Sequence, residues 1–275
     1  MSAIQIKQRP FITCPELFQD IPAFIAEILA RRGVASTQEL ELKLKHLLAP
    51  SLKGLNEAIQ LMDAAIDQQH KIVIVGDYDA DGATSTALMI LALREMGAQV
   101  EYLVPDRFKY GYGLTPAIAD LAFTSFTPDL LITVDNGISS HDGVKQAQDH
   151  GMQVIITDHH LTTKPTPSAQ AVVNPNQLGC DFPSKALAGV GVAFYVLANL
   201  STYRKKLNKS SAVMSQYLDL VALGTYADVA SLDYNNRILV DVGLKRIQQR
   251  LCRPGISALL EIAGREAATL KAQDL

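Results

Sequence analysis

The stretch Lys71 to Ala87, KIVIVGDYDADGATSTA, permits few folds. It opens on an apolar β-branched run, Ile72 to Val75, the pattern of a strand buried on both faces. After Gly76 come three aspartates at alternate positions, Asp77, Asp79 and Asp81. Gly82 allows a tight turn. A helical pattern follows, with Thr84, Ser85 and Thr86 in its first turn and Ala87, Leu88, Leu91 and Ala92 at apolar spacing. Three carboxylates therefore crowd a strand-to-helix loop, where open α/β sheets bind ligands. Like charges so close repel, so either some stay protonated or a cation joins them. A divalent metal is the economical reading. The plain alternative is a solvated acidic loop with helix-start aspartates.

Strand and helix patterns then alternate. Strands are expected at Gln99 to Val104, Asp129 to Val134, Gln153 to Thr157 and Ala171 to Asn174, with helices at Pro116 to Phe123 and His141 to His150. The spacing suits βαβ units, which predicts an α/β fold: a mostly parallel sheet with helices on both faces. Residues 1–50 read as a helical lead segment. Its helices run from Ile21 to Arg31, ended by Gly33, and from Thr37 to Leu48, capped by Ser36 or Thr37. A helix from Leu55 to Gln68 leads into the first strand. Beyond Pro183 the pattern is helical: Ser184 to Leu200, Val213 to Leu223, Asn235 to Arg250 and Ile256 to Ala263, with a loop at Asn208 to Ser211.

The 275 residues are 48% hydrophobic, ample for one or two packed domains. No apolar run reaches the ~20 residues that span a bilayer, and the opening MSAIQIKQRP has no basic-then-apolar signal pattern. Cys14, Cys180 and Cys252 are odd in number and widely spaced, fitting neither a disulfide frame nor a zinc knuckle. The expected setting is the reducing cytoplasm, with no membrane partner. A net charge of −3 does not suit a protein that coats nucleic acid electrostatically. Any such partner would need a local basic groove or a further domain.

Three strands end on acids or imidazoles: Asp77, Asp79 and Asp81; then Asp135; then Asp158, His159 and His160. In a parallel sheet these ends share one edge, so the side chains can converge. Singly, Asp135 reads as a helix-start residue and the histidines as exposed loop residues. Adjacent histidines on a loop point in different directions, so one can ligate metal while the other faces substrate. Carboxylates with an imidazole suit Mn²⁺ or Mg²⁺, and no thiolate cluster argues for zinc. Farther on, Asp219 and Asp228 interrupt the apolar stretch Leu218 to Leu232. Asp219 reads as a cap or a solvent-facing group. Asp228, at the end of a buried helix, must be paired or bind metal, and is taken as the fifth ligand. Arg107 lies with Phe108, Tyr110 and Tyr112 on the glycine-containing loop VPDRFKYGYGLT. These residues either grip a phosphate and stack on bases or fold back onto the core. Ser139 and Ser140 either donate to phosphate or cap the helix near His141.

The ordered set DYDADGATS, VDNGISS, TDHH and ALGTYADV resembles the four motifs of the DHH phosphoesterase superfamily. The surrounding text, VPDRF and GYGL, VVNPN, FPSKALAGVGVAFY and NNRIL, resembles its RecJ branch, bacterial single-strand-specific 5′→3′ DNA exonucleases. The resemblance covers nearly all of residues 20–275. It implies a phosphodiesterase using two Mn²⁺ or Mg²⁺ ions and releasing 5′-mononucleotides in DNA repair and recombination. Asp79 and Asp81 would ligate the two ions, Asp135 would bridge them, and His159 and Asp228 would hold the second. His160 would contact the scissile phosphate or assist the leaving oxygen. Asp77 belongs to the catalytic motif and would support a ligand. Single-stranded DNA is the implied partner, with a single-strand-binding protein and a helicase as candidate protein partners.

The branch continues past this point into a second domain and an oligonucleotide-binding fold. The chain is accordingly expected to be a catalytic portion, with a DHH catalytic domain at 51–265 and the start of a connection at 266–275. Two alternatives stay open: a DHH phosphodiesterase acting on short RNA, cyclic dinucleotides or pyrophosphate, and an inactive truncated scaffold.

Overall fold

The structure, a computed structural model, describes Lys7 and residues 21–275; Cys14 lies outside them. It divides into two compact units, one ending at His46 and one spanning Leu47–Leu275.

In the first unit, helix α1 (Ala23–Arg31) buries Ala26 and Ala30, and Ile21 and Leu29 pack on a small core of Ala26 and Val34. Gly33, at φ +81°, turns the chain out of it. The helix expected from Thr37 to Leu48 does not form. Two short 3₁₀ turns stand there, Thr37–Leu40 and Leu44–His46, and neither buries a residue. Ser36 makes no side-chain cap, and Glu39 turns back instead to accept from the Ala35 N–H at 3.1 Å. Without a buried face, a segment this short lacks the packing that stabilises most helices.

The second unit is the expected α/β layer structure. Its elements are α2 (Leu55–Asp67), β1 (Lys71–Gly76), α3 (Ala80–Glu95), β2 (Gln99–Leu103), α4 (Arg107–Tyr110), α5 (Pro116–Phe126) and β3 (Leu130–Val134). Then follow α6 (His141–Asp149), β4 (Gln153–Thr157), β5 (Ala171–Val173), α7 (Gly189–Lys206), α8 (Leu218–Ala227), α9 (Tyr234–Gln248) and α10 (Pro254–Ile262). All strand pairs are parallel, in the order β2-β1-β3-β4-β5. One sheet face packs Val73, Val75, Leu131, Val154 and Ile156 against Ile118, Ala119 and Ala122 of α5 and Val144 and Ala147 of α6. Helices α2, α3 and α7 cover the other face. Among the described residues no helix is long and apolar enough to cross a membrane, and Cys180 and Cys252 are both free.

The register matters for the site. Gly76 pairs with Val134, Val134 with Thr157, and Thr157 with Val173, so four strands stop at one level. The order reverses between β1 and β3, which opens a crevice there. Asn136 laces the two strand ends, donating to the carbonyls of Val75 (3.1 Å) and Val134 (2.8 Å).

Several helix starts differ from expectation. Helix α3 begins at Ala80, two residues before Gly82, because the Asp79 carboxylate caps it by accepting from the Gly82 N–H (2.9 Å). Gly82 therefore makes no turn; it allows close approach, since a Cβ there would lie 2.5 Å from the Asp77 carbonyl oxygen. Helix α7 begins at Gly189, five residues after Ser184, whose hydroxyl is held by Asp233 at 2.6 Å. The segment expected to be helical from Val213 is a 3₁₀ turn, Met214–Tyr217, followed by α8. Asp219 is neither a free cap nor solvent-facing. It is fully buried and accepts from the Arg253 N–H at 2.7 Å.

Helices α2 and α7 are joined by charge. The buried Arg204 guanidinium lies 2.5 Å from Asp63, which also receives Lys209 at 2.7 Å. Removing one partner of a buried pair leaves the other uncompensated. Arg204→Ala is expected to lower unfolding free energy by about 3 kcal/mol, Lys209 retaining part of the pairing. Urea unfolding checks this; a loss below about 1 kcal/mol would show that Asp63 is satisfied without Arg204.

Candidate metal centre

The loops after β1, β3 and β4 bring their polar side chains together with the C-terminus of α8. Asp77, Asp79 and Asp135 form one group of potential ligands, and Asp81, His159 and Asp228 a second. Asp135, His159 and His160 form a third. Within each group the ligand atoms lie within 4.8 Å of one another. Asp135 thus faces both the β1 acids and the histidines.

Each member has its own support. Asp81, in the first turn of α3, is buried. Its two carboxylate oxygens accept from the N–H groups of Gly189 (2.6 Å) and Val190 (2.8 Å), which open α7. This aims the dipole of an 18-residue helix at the carboxylate. Asp135 sits at φ +60°, a left-handed conformation that aspartate tolerates better than most residues. Gly189 packs against it so closely that a Cβ would fall 2.7 Å from the Asp135 Cβ. The His159 Nε2 is 3.0 Å from Asp135 Oδ1 and 3.8 Å from Asp81 Oδ2, and its Nδ1 is 4.0 Å from Asp228 Oδ2. Asp228 ends α8 as expected but is only half-buried.

Burial dominates the electrostatics. It pushes Asp135 up to about 8, with the neighbouring Asp81 and Asp79 charges adding to the effect against the pull of His159. Burial likewise pushes Asp81 up to about 6, although the Val190 and Gly189 N–H groups favour its anion. Burial also raises Asp228. For His159 burial opposes the charged ring, but Asp135, Asp81 and Asp228 outweigh it and push the imidazole up to about 9. Without a cation, the cluster keeps protons that ordinary carboxylates would release.

These donors fit a hard divalent ion. Asp135 Oδ1 and His159 Nε2 are buried and face each other, yet neither is in hydrogen-bond geometry with any group. Buried polar atoms left in this way are expected where an ion accepts their lone pairs.

Around this centre lie the other residues singled out from the sequence. Asp77 is half-buried, accepts from the Tyr78 N–H (2.8 Å), and pairs with Arg107 at 3.2 Å. The Arg107 guanidinium also covers the Tyr78 ring, 3.4 Å from its centroid. Tyr110 is partly buried against the apolar core, and Phe108 is 95% exposed. The Tyr112 hydroxyl lies 3.2 Å from His160 Nε2. Ser139 is exposed at the head of α6, whereas the Ser140 hydroxyl accepts from the Leu114 N–H (3.0 Å) and makes no helix cap. Tyr112, Ser139 and His160 line a cleft of about 300 Å³.

Three supporting residues had no assigned role in the sequence reading. Asp158 is buried and accepts from the N–H groups of His159, His160 and Ile138, and from His160 Nδ1 at 2.7 Å. Burial disfavours its anion, but these donors, the His160 ring foremost, hold it below the usual carboxylate range. That contact in turn raises His160. Asn174 and Asn176 donate to the carbonyls of His160 (3.0 Å) and His159 (2.5 Å). Their signal in the sequence was the VVNPN segment, which marks a turn but not what the turn holds.

The family model for the DHH family, N-terminal domain, matches residues 71–225. The chain is 47% identical over 280 aligned residues to the single-stranded-DNA-specific exonuclease RecJ of Escherichia coli, covering 99% of this chain and 48% of that protein. It therefore spans about half the length of that relative. Among solved structures, RecJ from Thermus thermophilus in complex with Mn²⁺ matches with a TM-score of 0.73 and 34% identity, over 90% of this chain and 34% of that one. Its complex with Mg²⁺ matches with a TM-score of 0.65 and 31% identity, over 94% and 32%. The strand-end acids, the histidine pair and the acid closing α8 thus stand on a known scaffold, and the chain belongs to the DHH family.

Proposed function

We propose that this chain carries the catalytic centre of a divalent-metal-dependent phosphodiesterase that degrades single-stranded DNA from its 5′ end, releasing 5′-mononucleotides. The observation that carries this reading is the meeting of Asp77, Asp79 and Asp135 with Asp81, His159 and Asp228 at the sheet's switch point. The metals of the Thermus relatives make Mn²⁺ or Mg²⁺ the ions of choice. Asp79 and Asp81 would each serve one ion, Asp135 would face both, and His159 and Asp228 would complete the second. When bound, two dications polarise the phosphodiester and acidify the attacking water.

The chain's own groups do the rest. Asp158 accepts the His160 Nδ1–H, which leaves Nε2 to meet a phosphodiester oxygen and to hold a proton for the leaving oxygen. Arg107, held by Asp77 and Tyr78, would receive a phosphate beside the ligand cluster. Tyr112 and Ser139 line the cleft that a strand would enter, and Tyr110 braces the loop that carries Arg107. The family setting extends the reading to a cytoplasmic enzyme of repair and recombination, working beside a single-strand-binding protein and a helicase.

The test is Mn²⁺-dependent release of label from 5′-labelled single-stranded DNA by this 275-residue chain at low salt. Release as 5′-mononucleotide is expected. Preferential hydrolysis of dinucleotides or pyrophosphate would move the assignment to another DHH substrate class.

A further inference from the structure

His160 has two ring nitrogens, and their partners differ in kind. Nδ1 is bound to a buried carboxylate that three backbone N–H groups also hold, so it is committed. Nε2 is the nitrogen left to face the cleft, and the Tyr112 hydroxyl occupies it at 3.2 Å. The two rings meet edge to face, with centroids 6.0 Å apart and planes at 81°. A hydroxyl both donates and accepts, so it can stay bonded to Nε2 whether or not that nitrogen carries a proton. A phosphate oxygen can only accept. Gly111 at φ +82° and Gly113 at φ +75° flank Tyr112, in backbone conformations that glycine adopts readily. The ring is about half-exposed, at 53%, and the Arg107 guanidinium stands 5.7 Å from its centroid.

We propose that Tyr112 is a positioning residue for His160. Its hydroxyl holds the imidazole with Nε2 directed into the cleft, and it keeps that contact, sharing the Nε2–H with a phosphodiester oxygen, when a strand enters. The proposal rests on the phosphodiesterase reading of the site. It gives Tyr112 a role distinct from base stacking, because stacking uses the ring face and this role uses the oxygen.

Tyr112→Phe separates the two, since phenylalanine keeps the face and loses the hydroxyl. For single-stranded DNA with Mn²⁺, the expected result is a kcat lowered about tenfold, the scale of one lost hydrogen bond, with KM within about twofold of the parent. Retained kcat with a raised KM would assign Tyr112 to substrate contact and overturn the proposal, as would unchanged values of both. A second readout is independent of turnover. Imidazole ¹⁵N spectra of the metal-free chain should show the His160 Nε2 resonance displaced in Tyr112→Phe, with the other histidines unmoved. An inactive parent chain would count against the phosphodiesterase reading. The ¹⁵N displacement would then decide the contact alone, and its absence would overturn the positioning role.

Discussion

Asp135→Asn is expected to abolish metal-dependent hydrolysis of single-stranded DNA while leaving the chain folded. Asparagine keeps the shape of the side chain and tolerates the φ of +60° found there, so the change isolates the charge. Groups that merely orient a metal ligand typically cost 10–100-fold when lost. A carboxylate facing both ligand groups should cost more, on the order of a thousandfold. Stability should move the other way. In the metal-free chain the buried Asp135 carboxylate is disfavoured by desolvation and by Asp81, so its neutral replacement should melt no lower than the parent. Hydrolysis and thermal melting on the same samples check both halves. Retained cleavage would remove Asp135 from the chemistry, and a collapsed melting curve would make it structural.

The second large effect is in pH. A dication needs the carboxylate anion and the neutral imidazole, so protons held by Asp135 up to about 8 and by His159 up to about 9 must leave as it binds. Mn²⁺ affinity should therefore tighten at least tenfold between pH 6 and pH 8, with up to a factor of ten per pH unit for each proton displaced. Both folded-state values lie above their unfolded counterparts, so the metal-free fold binds more protons than the unfolded chain. Its stability falls with rising pH, through about 8 for Asp135 and about 9 for His159, and Mn²⁺ offsets that loss. Calorimetry in buffers of different ionisation enthalpy measures the released protons directly. An affinity independent of pH would mean that the ion avoids these two groups.

Local pattern made the sheet legible. β4 runs from Gln153 to Thr157 as its apolar run indicated, and β1 and β3 differ from expectation only at their ends. The acids after each strand were visible for the same reason: a parallel sheet puts successive strand ends on one edge. What the sequence hid was set by distant partners. Nothing near Ser184 marks it as non-helical, because its partner is Asp233, 49 residues away. The first turn of α7 is fixed by Asp81, 108 residues before it. Asp158 looked like one more strand-end acid, and only the folded loop reveals that it faces the histidine pair's backbone and the His160 ring. After Ser36 the helical spacing yields only 3₁₀ turns, since spacing alone cannot supply a surface to pack on.

Asp81 has two claimants. The amides of Gly189 and Val190 hold its oxygens, and an ion at the centre would share them. A slide of α7 along its axis would therefore alter the ligand field, and by linkage any such coupling runs equally from the centre to the start of that helix. Helix α7 is in this sense a lever with its short arm in the chemistry. Its far end, at Arg204, is anchored to α2, so one helix ties that buried ion pair to the ligand cluster.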